Sequence, residues 1–588
     1  MTSLSLHNES EIKTRVQDLQ DFTSGNKSVA EPKAAKDLNI IQQHASEVSD
    51  APTEEELSAL RRIPGKLPWS TFLVAAVELC ERFAYYGIVG PFQNYIQNPY
   101  KGPGAPGAIG KDQTSATALG SFFQFWCYLT PIFGGIVADQ YLGKYNTIVY
   151  FSMIYMLGLI ILLCTSLPIA IENGAALGGL VAAMIIIGLG TGGIKSNISP
   201  LIGEQIKSKK PWVKRLKSGE RVIVDPSLTV QRVYMVFYLC INVGSLSAIA
   251  TTELELHVDF WAAYLLPLCM FVVGFVVLIF GRKYYVVRPP NGSVIVHAFK
   301  VLWIGLINKG NMNAAKASYQ AEHGGNHNIE WDDHFVEELK RALVACKVFA
   351  YFPIYWVCDQ QMQNNFVSQA ATMELHGFPN DLMQNIVPLT IIIFIPICDR
   401  LIYPLLRKFR IPFKPMSRIT MGFICASVSM GYAAIIQRLI YNAPPCYDAP
   451  LKCPASEGGA VPNRVNVALQ TPSYLLIGFS EIFASITGLE YAYTKAPTSM
   501  KSFVMSLYLL TTAFGAVLSI ALSPTAEDPK LVWLYAGLCI ATFIAGVCFW
   551  LLFHRYNATE EQMNALEVEQ RSVNDEETSS DEPNKPPV

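Results

Sequence analysis

Twelve separate runs of predominantly apolar residues punctuate this chain, and they leave it very few folds to choose from. A membrane span needs about 20 mostly apolar residues, because a helix must cross roughly 30 Å of hydrocarbon. Inside hydrocarbon every backbone N–H and C=O must be satisfied within the chain, and in a run of this length a helix does that. The runs lie at 68–95, 115–138, 146–168, 176–200, 232–252 and 259–281, then at 345–367, 385–404, 417–440, 472–494, 502–522 and 531–553. Charged residues make up only 16% of the chain, against about 25% in soluble proteins. The expected fold is therefore all-α and polytopic, with the lipid bilayer as its first partner. A net charge of −2 provides no field for nucleic acid, which is not expected to bind.

A polar stretch, 282–344, separates the first six runs from the last six. Two six-helix bundles, 67–281 and 345–554, joined by a cytoplasmic linker, are the pattern of a secondary carrier with its site near the midplane. Residues 1–66 and the acidic 555–588 have too little apolar area to offset the cost of ordering and are expected to be disordered tails. Within the linker, 292–307 is apolar but short and reads as an interfacial helix.

Lysine and arginine in short loops set the orientation. Loop 203–229 carries Lys207, Lys209, Lys210, Lys214, Arg215, Lys217 and Arg221, and loop 405–416 carries Arg407, Lys408, Arg410 and Lys414. Loops 169–175 and 368–384 carry neither type. The basic loops are expected in the cytoplasm, and an even span count puts both termini there. The sequons at Asn8, Asn26, Asn291 and Asn557 fall in the cytoplasmic segments of this scheme. In loop 441–470, Cys446 and Cys453 are candidates for a disulfide on the opposite face.

Ionisable residues inside spans are costly and mark function. Glu78, Glu81 and Arg82 in the first run are spaced i, i+3, i+4 and share a helix face. A guanidinium beside two carboxylates can leave one of them poised to exchange a proton. Lys195 and Glu481 are lone charges of opposite sign, one in each half, and are expected to pair as a gate. Asp359 is a third intramembrane acid, expected to face the central cavity. Asp139 and Lys144 put an acid and a base in a tight turn after the second run, a conformational device. Gly188–Gly193 matches G-x-G-x-x-G but lies inside an apolar run, so close helix approach replaces the dinucleotide reading. No spacing suggests a metal site, a catalytic nucleophile or a cofactor, and no enzyme is expected.

These residues resemble the proton-coupled oligopeptide transporter family of the major facilitator superfamily, most closely its fungal di- and tripeptide permeases. The likeness runs from about Pro68 to Phe553 and rests on four motifs. Glu78-x-x-Glu81-Arg82-Phe83 resembles the first-helix signature, and Phe237-Tyr238-x-x-Ile241-Asn242-x-Gly244 the fifth-helix one. Gly193-Ile194-Lys195 resembles the fourth-helix lysine motif, and Glu481 through Thr487-Gly488-Leu489-Glu490-Tyr491 the tenth-helix motif. The resemblance implies proton coupling at Glu78, Glu81 and Arg82. Lys195 would attract a peptide carboxylate and pair with Glu481 between turnovers. Glu481 and Asn242 would bind the amino end, Tyr86 and Tyr128 would line the pocket, and Trp356 would wall it.

The chain departs from that pattern in four places. Ser121 stands where animal members carry a histidine, and Val89 where many members carry an arginine. The seventh-helix acid, Asp359, comes one residue early, with Gln360 at the usual place. Val387 precedes Pro388 where an asparagine is usual, which leaves Asn385 as the nearest substitute. Asp359 and Asp139 are accordingly assigned only to gating or coupling. The resemblance implies a monomeric plasma-membrane importer of di- and tripeptides with protons, working by alternating access. Two alternatives stay open. One is the same fold carrying nitrate or an organic anion, and the other is a peptide sensor that transports nothing.

Overall fold

The computed structural model describes Glu56 and residues 60–206, 211–216, 219–290, 292–322, 330–409, 413–495 and 500–556. The four sequons named above, Lys207, Lys209, Lys210, Lys217 and Arg410, and most of both tails lie outside the described residues. Two compact units emerge. One comprises the described residues up to Ala75, Ile202–Tyr238 and Tyr284–Val286; the other comprises Ala76–Leu201, Leu239–Lys283 and the described residues from Val287 onward.

Eleven helices among the described residues are long and apolar enough to span a membrane. They are Gln113–Leu142, Lys144–Thr165, Ala176–Glu204, Leu228–His257, Phe260–Tyr284, Asp333–Ala371, Leu382–Leu406, Pro415–Asn442, Val467–Ala492, Phe503–Thr525 and Leu531–Phe553. The first run forms a helix of 21 residues, Trp69–Val89, which has the length of a span. It carries three ionisable residues, Glu78, Glu81 and Arg82, within five positions. The helix stops at Gly90-Pro91, where proline lacks the N–H needed to continue, and a short helix, Phe92–Gln97, follows. Side chains sort as a membrane requires. Thr117, Ser121, Asn197, Thr251, Gln437 and Ser473 are buried, whereas Trp533, Ile540, Phe543 and Leu551 are exposed.

Several boundaries differ from the sequence reading for local reasons. Asp332 caps a helix by accepting from the Phe335 N–H at 2.9 Å, so the seventh span starts at Asp333, inside the expected linker. Asp112 caps the second span through the Ser115 N–H at 2.9 Å. The apolar linker segment is a helix, Val294–Ile307. The second and eighth spans each carry a π-turn, Ala138–Leu142 and Cys398–Ile402, with an aspartate in its second position.

The smaller unit corrects two expectations. Residues 62–64 of the supposedly disordered tail form strand β1 (Arg62–Pro64), and the basic loop after the fourth span folds into β2 (Trp212–Arg215) and β3 (Arg221–Asp225). The order is β1-β3-β2, with β1 parallel and β2 antiparallel to β3. Val222, Ile223 and Val224 supply the buried apolar area that orders this edge. Arg62 reaches Asp225 at 3.3 Å, Arg61 pairs with Glu220 at 3.3 Å, and Arg221 pairs with Glu56.

Glycines let the second, third and fourth spans touch backbone to backbone. A Cβ on Gly134 would lie 2.5 Å from the Gly192 carbonyl oxygen, and one on Gly190 would lie 2.7 Å from the Tyr155 Cα. Gly134→Ala is therefore expected to destabilise the purified protein by about 1–3 kcal/mol. Gly537→Ala, where a Cβ meets nothing within 4 Å, should leave the thermal midpoint unchanged. Equal midpoints for the two variants would refute the close approach.

Candidate functional site

The first helix turns its ionisable face inward. Glu78, Glu81 and Arg82 are 3%, 2% and 5% exposed. The Arg82 Nε lies 2.5 Å from Glu81 Oε2 and 3.2 Å from Glu78 Oε1, so one cation neutralises part of two acids. Its guanidinium also stands 5.4 Å from the centre of the Tyr85 ring. Gly244 makes this packing fit: a Cβ there would come within 2.8 Å of the Arg82 Cβ and 2.9 Å of the Leu79 carbonyl. That contact explains why the fifth-helix motif ends in glycine. Arg82 Nη2, Glu78 Oε2 and Glu81 Oε1 are buried and have no hydrogen-bond partner among the described residues. The triad therefore has spare capacity for a proton or a ligand group.

Lys195 does not reach out to the surface. Its Nζ sits 3.3 Å above the centre of the Tyr128 ring, a cation–π contact inside the bundle. It is also within electrostatic reach of Arg82, Glu81 and Glu78. Asn242 is buried, with its carbonyl accepting from Ser245 Oγ at 2.8 Å.

The expected Lys195–Glu481 pair is absent: among the described residues no carboxylate lies at ion-pair distance from Lys195. Glu481 instead lies within electrostatic reach of a second acid, Asp359. The physical reason is that the π-turn Glu481–Ser485 sets Glu481 against the seventh helix, while the ring of Tyr128 provides Lys195 with its partner. Two neighbouring carboxylates repel each other, and a proton on one of them would let it donate to the other. Asp359, left without an assigned partner by the sequence, thus gains one.

Tyr86 is within electrostatic reach of Arg82 and Glu81 and also of Glu481 and Asp359. Trp356 donates from Nε1 to Thr511 Oγ1 at 3.0 Å and meets the Tyr355 ring edge-on at 5.0 Å. Thr511 had no signal in the sequence beyond being polar in an apolar run.

Four assigned residues make other contacts. Asn385 donates to the Leu382 carbonyl of its own turn at 3.0 Å. Asp139 belongs to the π-turn closing the second span, where its carbonyl accepts from the Gly292 N–H at 3.0 Å. Cys446 and Cys453 are joined by a disulfide with Cα atoms 5.4 Å apart. A further pair of facing acids, Glu255 and Asp381, escaped the sequence reading because both sit at or beyond the expected span ends. No group of described residues is arranged to hold a metal ion.

Comparison with known proteins follows the same lines. The family model described as the POT family matches residues 145–551. The chain is 55% identical over 534 residues to the peptide transporter PTR_A of Candidozyma auris, covering 91% of this chain and 89% of the relative. It is 51% identical over 533 residues to the peptide transporter PTR2 of Saccharomyces cerevisiae, covering 90% and 86%. The solved structure of the POT family transporter PepTSo superposes with a TM-score of 0.65 at 21% identity, over 84% of this chain and 99% of that one. An auto-inhibited POT family peptide transporter gives 0.63 at 23% identity, over 83% and 97%.

Proposed function

The chain belongs to the POT family, and we propose that it imports di- and tripeptides with protons by alternating access. The observation that carries this reading is the separation of charge within the larger unit. Lys195, held over the Tyr128 ring, is the cation at one pole, and the Glu481–Asp359 pair forms an acidic one. A zwitterionic peptide carries both complements. Its carboxylate would displace the Tyr128 ring as the partner of Lys195, and its ammonium would take a carboxylate from the Glu481–Asp359 pair. The proton held by that pair must then move, which ties cargo binding to protonation. Glu78 and Glu81 would receive the transported proton, with Arg82 holding the unprotonated form. Tyr86 and Tyr128 would line the pocket between the poles, with Asn242 near the amino end and Trp356 as an apolar wall. A fixed distance between the poles would select two or three residues and tolerate varied side chains. A purely anionic cargo such as nitrate would leave the acidic pole without a partner.

The basic loops support cytoplasmic termini, the fungal relatives named as peptide transporters support a peptide cargo, and a monomer acting at the plasma membrane completes the proposal. The test is lumenal acidification in proteoliposomes holding the purified protein under an inside-negative potential. External dialanine is expected to drive proton entry, and Glu81→Gln to abolish it. Peptide binding with no proton entry would instead indicate a sensor, and competition by nitrate rather than dialanine another cargo.

A further inference from the structure

Glu255, near the end of the fifth span, and Asp381, just before the eighth, come together although 126 positions apart in sequence. Both residues are buried, 4% and 0% exposed, and their carboxyls are within electrostatic reach of each other. Asn94, in the short helix after the first span, donates to Glu255 Oε1 at 2.9 Å. Asn94 also exchanges two 2.8 Å hydrogen bonds with Asn380, the neighbour of Asp381. Asn380 is anchored in turn to the Val367 carbonyl at 3.1 Å. Glu255 Oε2 and both oxygens of Asp381 are buried with no hydrogen-bond partner among the described residues. The fully buried hydroxyl of Tyr264, within electrostatic reach of both acids, has no hydrogen-bond partner among the described residues.

The surroundings offer no cation to neutralise a second charge. The titratable groups that face the pair are Glu253, Tyr264 and Tyr474. Glu253 is itself at 3.2 Å from His257, and the Tyr474 hydroxyl donates to the Met362 carbonyl at 3.4 Å. Among the described residues neither Glu255 nor Asp381 has a lysine or arginine at ion-pair distance. Two buried carboxylates with no cation beside them repel each other, and a single proton on the pair relieves that repulsion.

The contact also joins the first six spans to the last six at one end of the protein. Asn94 and Glu255 belong to the first six, and Asn380 and Asp381 to the last six. Gln93, in the same short helix as Asn94, donates to Ser368 Oγ of the seventh span at 2.9 Å, a neutral contact between the two halves that does not respond to pH. We propose that Glu255 and Asp381 form a proton-operated latch, which holds this end shut while the pair carries one proton and releases it when the proton is lost. The chemistry is a single O–H dissociation. The proton goes to water, and two adjacent carboxylates remain that repel each other and demand hydration. In the orientation proposed above, this end faces outward. A proton from outside would close the latch and return to the same side on opening, so the latch tunes gating by external pH without adding to the protons carried per peptide.

The test is amide hydrogen exchange of the full-length purified protein without peptide, with rates corrected for the intrinsic effect of pH. Phe92–Gln97 should exchange at least tenfold faster at pH 8 than at pH 5.5, while Leu531–Phe553 stays unchanged. Asp381→Asn should be slow at both values, because a carboxamide donates to Glu255 at any pH. Glu255→Gln provides the same neutral contact from the other side if Asp381→Asn fails to fold. Equal corrected rates in the wild type, or a tenfold difference that persists in either folded variant, would overturn the latch. The readout needs no transport, so it can fail or succeed independently of the peptide reading.

Discussion

Glu481→Gln is expected to leave the protein folded and at the surface while dialanine uptake falls at least about thirtyfold. The carboxamide keeps the size of the side chain and can donate to Asp359, so the contact across to the seventh helix survives without a shared proton. What changes is where the remaining negative charge sits: on Asp359, engaged by the carboxamide, and no longer on Glu481, which would receive a peptide ammonium. Truncating one partner of a buried charge pair costs about 2–5 kcal/mol, and the lower end of that range is a factor of about thirty in binding. The loss should appear mainly as a raised KM for dialanine, and unfolding midpoints should not fall. Asp359→Asn is the informative companion, since it retains Glu481 and removes the competing acid. It should preserve uptake better than Glu481→Gln does. Normal uptake by Glu481→Gln would remove the acidic pole from the proposed mechanism and leave Lys195 without a complement.

The second large effect is structural as much as functional. Arg82→Met strands Glu78 and Glu81, both nearly inaccessible to solvent, next to each other with no counter-charge in contact. Removing one member of a buried ionic group costs about 3–5 kcal/mol, because the remaining charge is left uncompensated. Unfolding of the purified variant should show a loss of that order at pH 7.5. Adding Glu78→Gln and Glu81→Gln to Arg82→Met should restore most of the stability, since no charge then remains to strand. It should not restore proton-driven uptake, because the groups that would accept the proton are gone. A triple variant as unstable as Arg82→Met would show that the guanidinium acts by packing against Tyr85 and Gly244 rather than by neutralising the acids.

The sequence came close on the elements and less close on the partners. Long apolar blocks can be read one at a time, because hydrocarbon demands the same thing of each of them. The helices Lys144–Thr165 and Leu531–Phe553 accordingly lie close to the runs that announced them. The shared face of Glu78, Glu81 and Arg82 was legible for a similar reason, since i, i+3, i+4 spacing is a property of one helix. Strand β1 was not. Arg62–Pro64 has no pattern of its own and is ordered only by pairing with Ile223 and its neighbours more than 150 positions away.

Partnership between distant charges was the decisive failure of local reading. Opposite signs made Lys195 and Glu481 an obvious couple, yet charge alone cannot say which groups a bundle brings within 4 Å. The π-turn at Glu481 set it against Asp359, and Lys195 found the face of an aromatic ring. Glu255 and Asp381 looked like ordinary acids at span ends until the helices buried them together with Asn94 and Asn380. What the amino-acid order determined was which segments must leave water and which of them carry a cost for doing so. What tertiary structure alone decided was who shares that cost, because burial turns each charge's nearest neighbour, rather than its sign or its place in the chain, into the term that governs its chemistry.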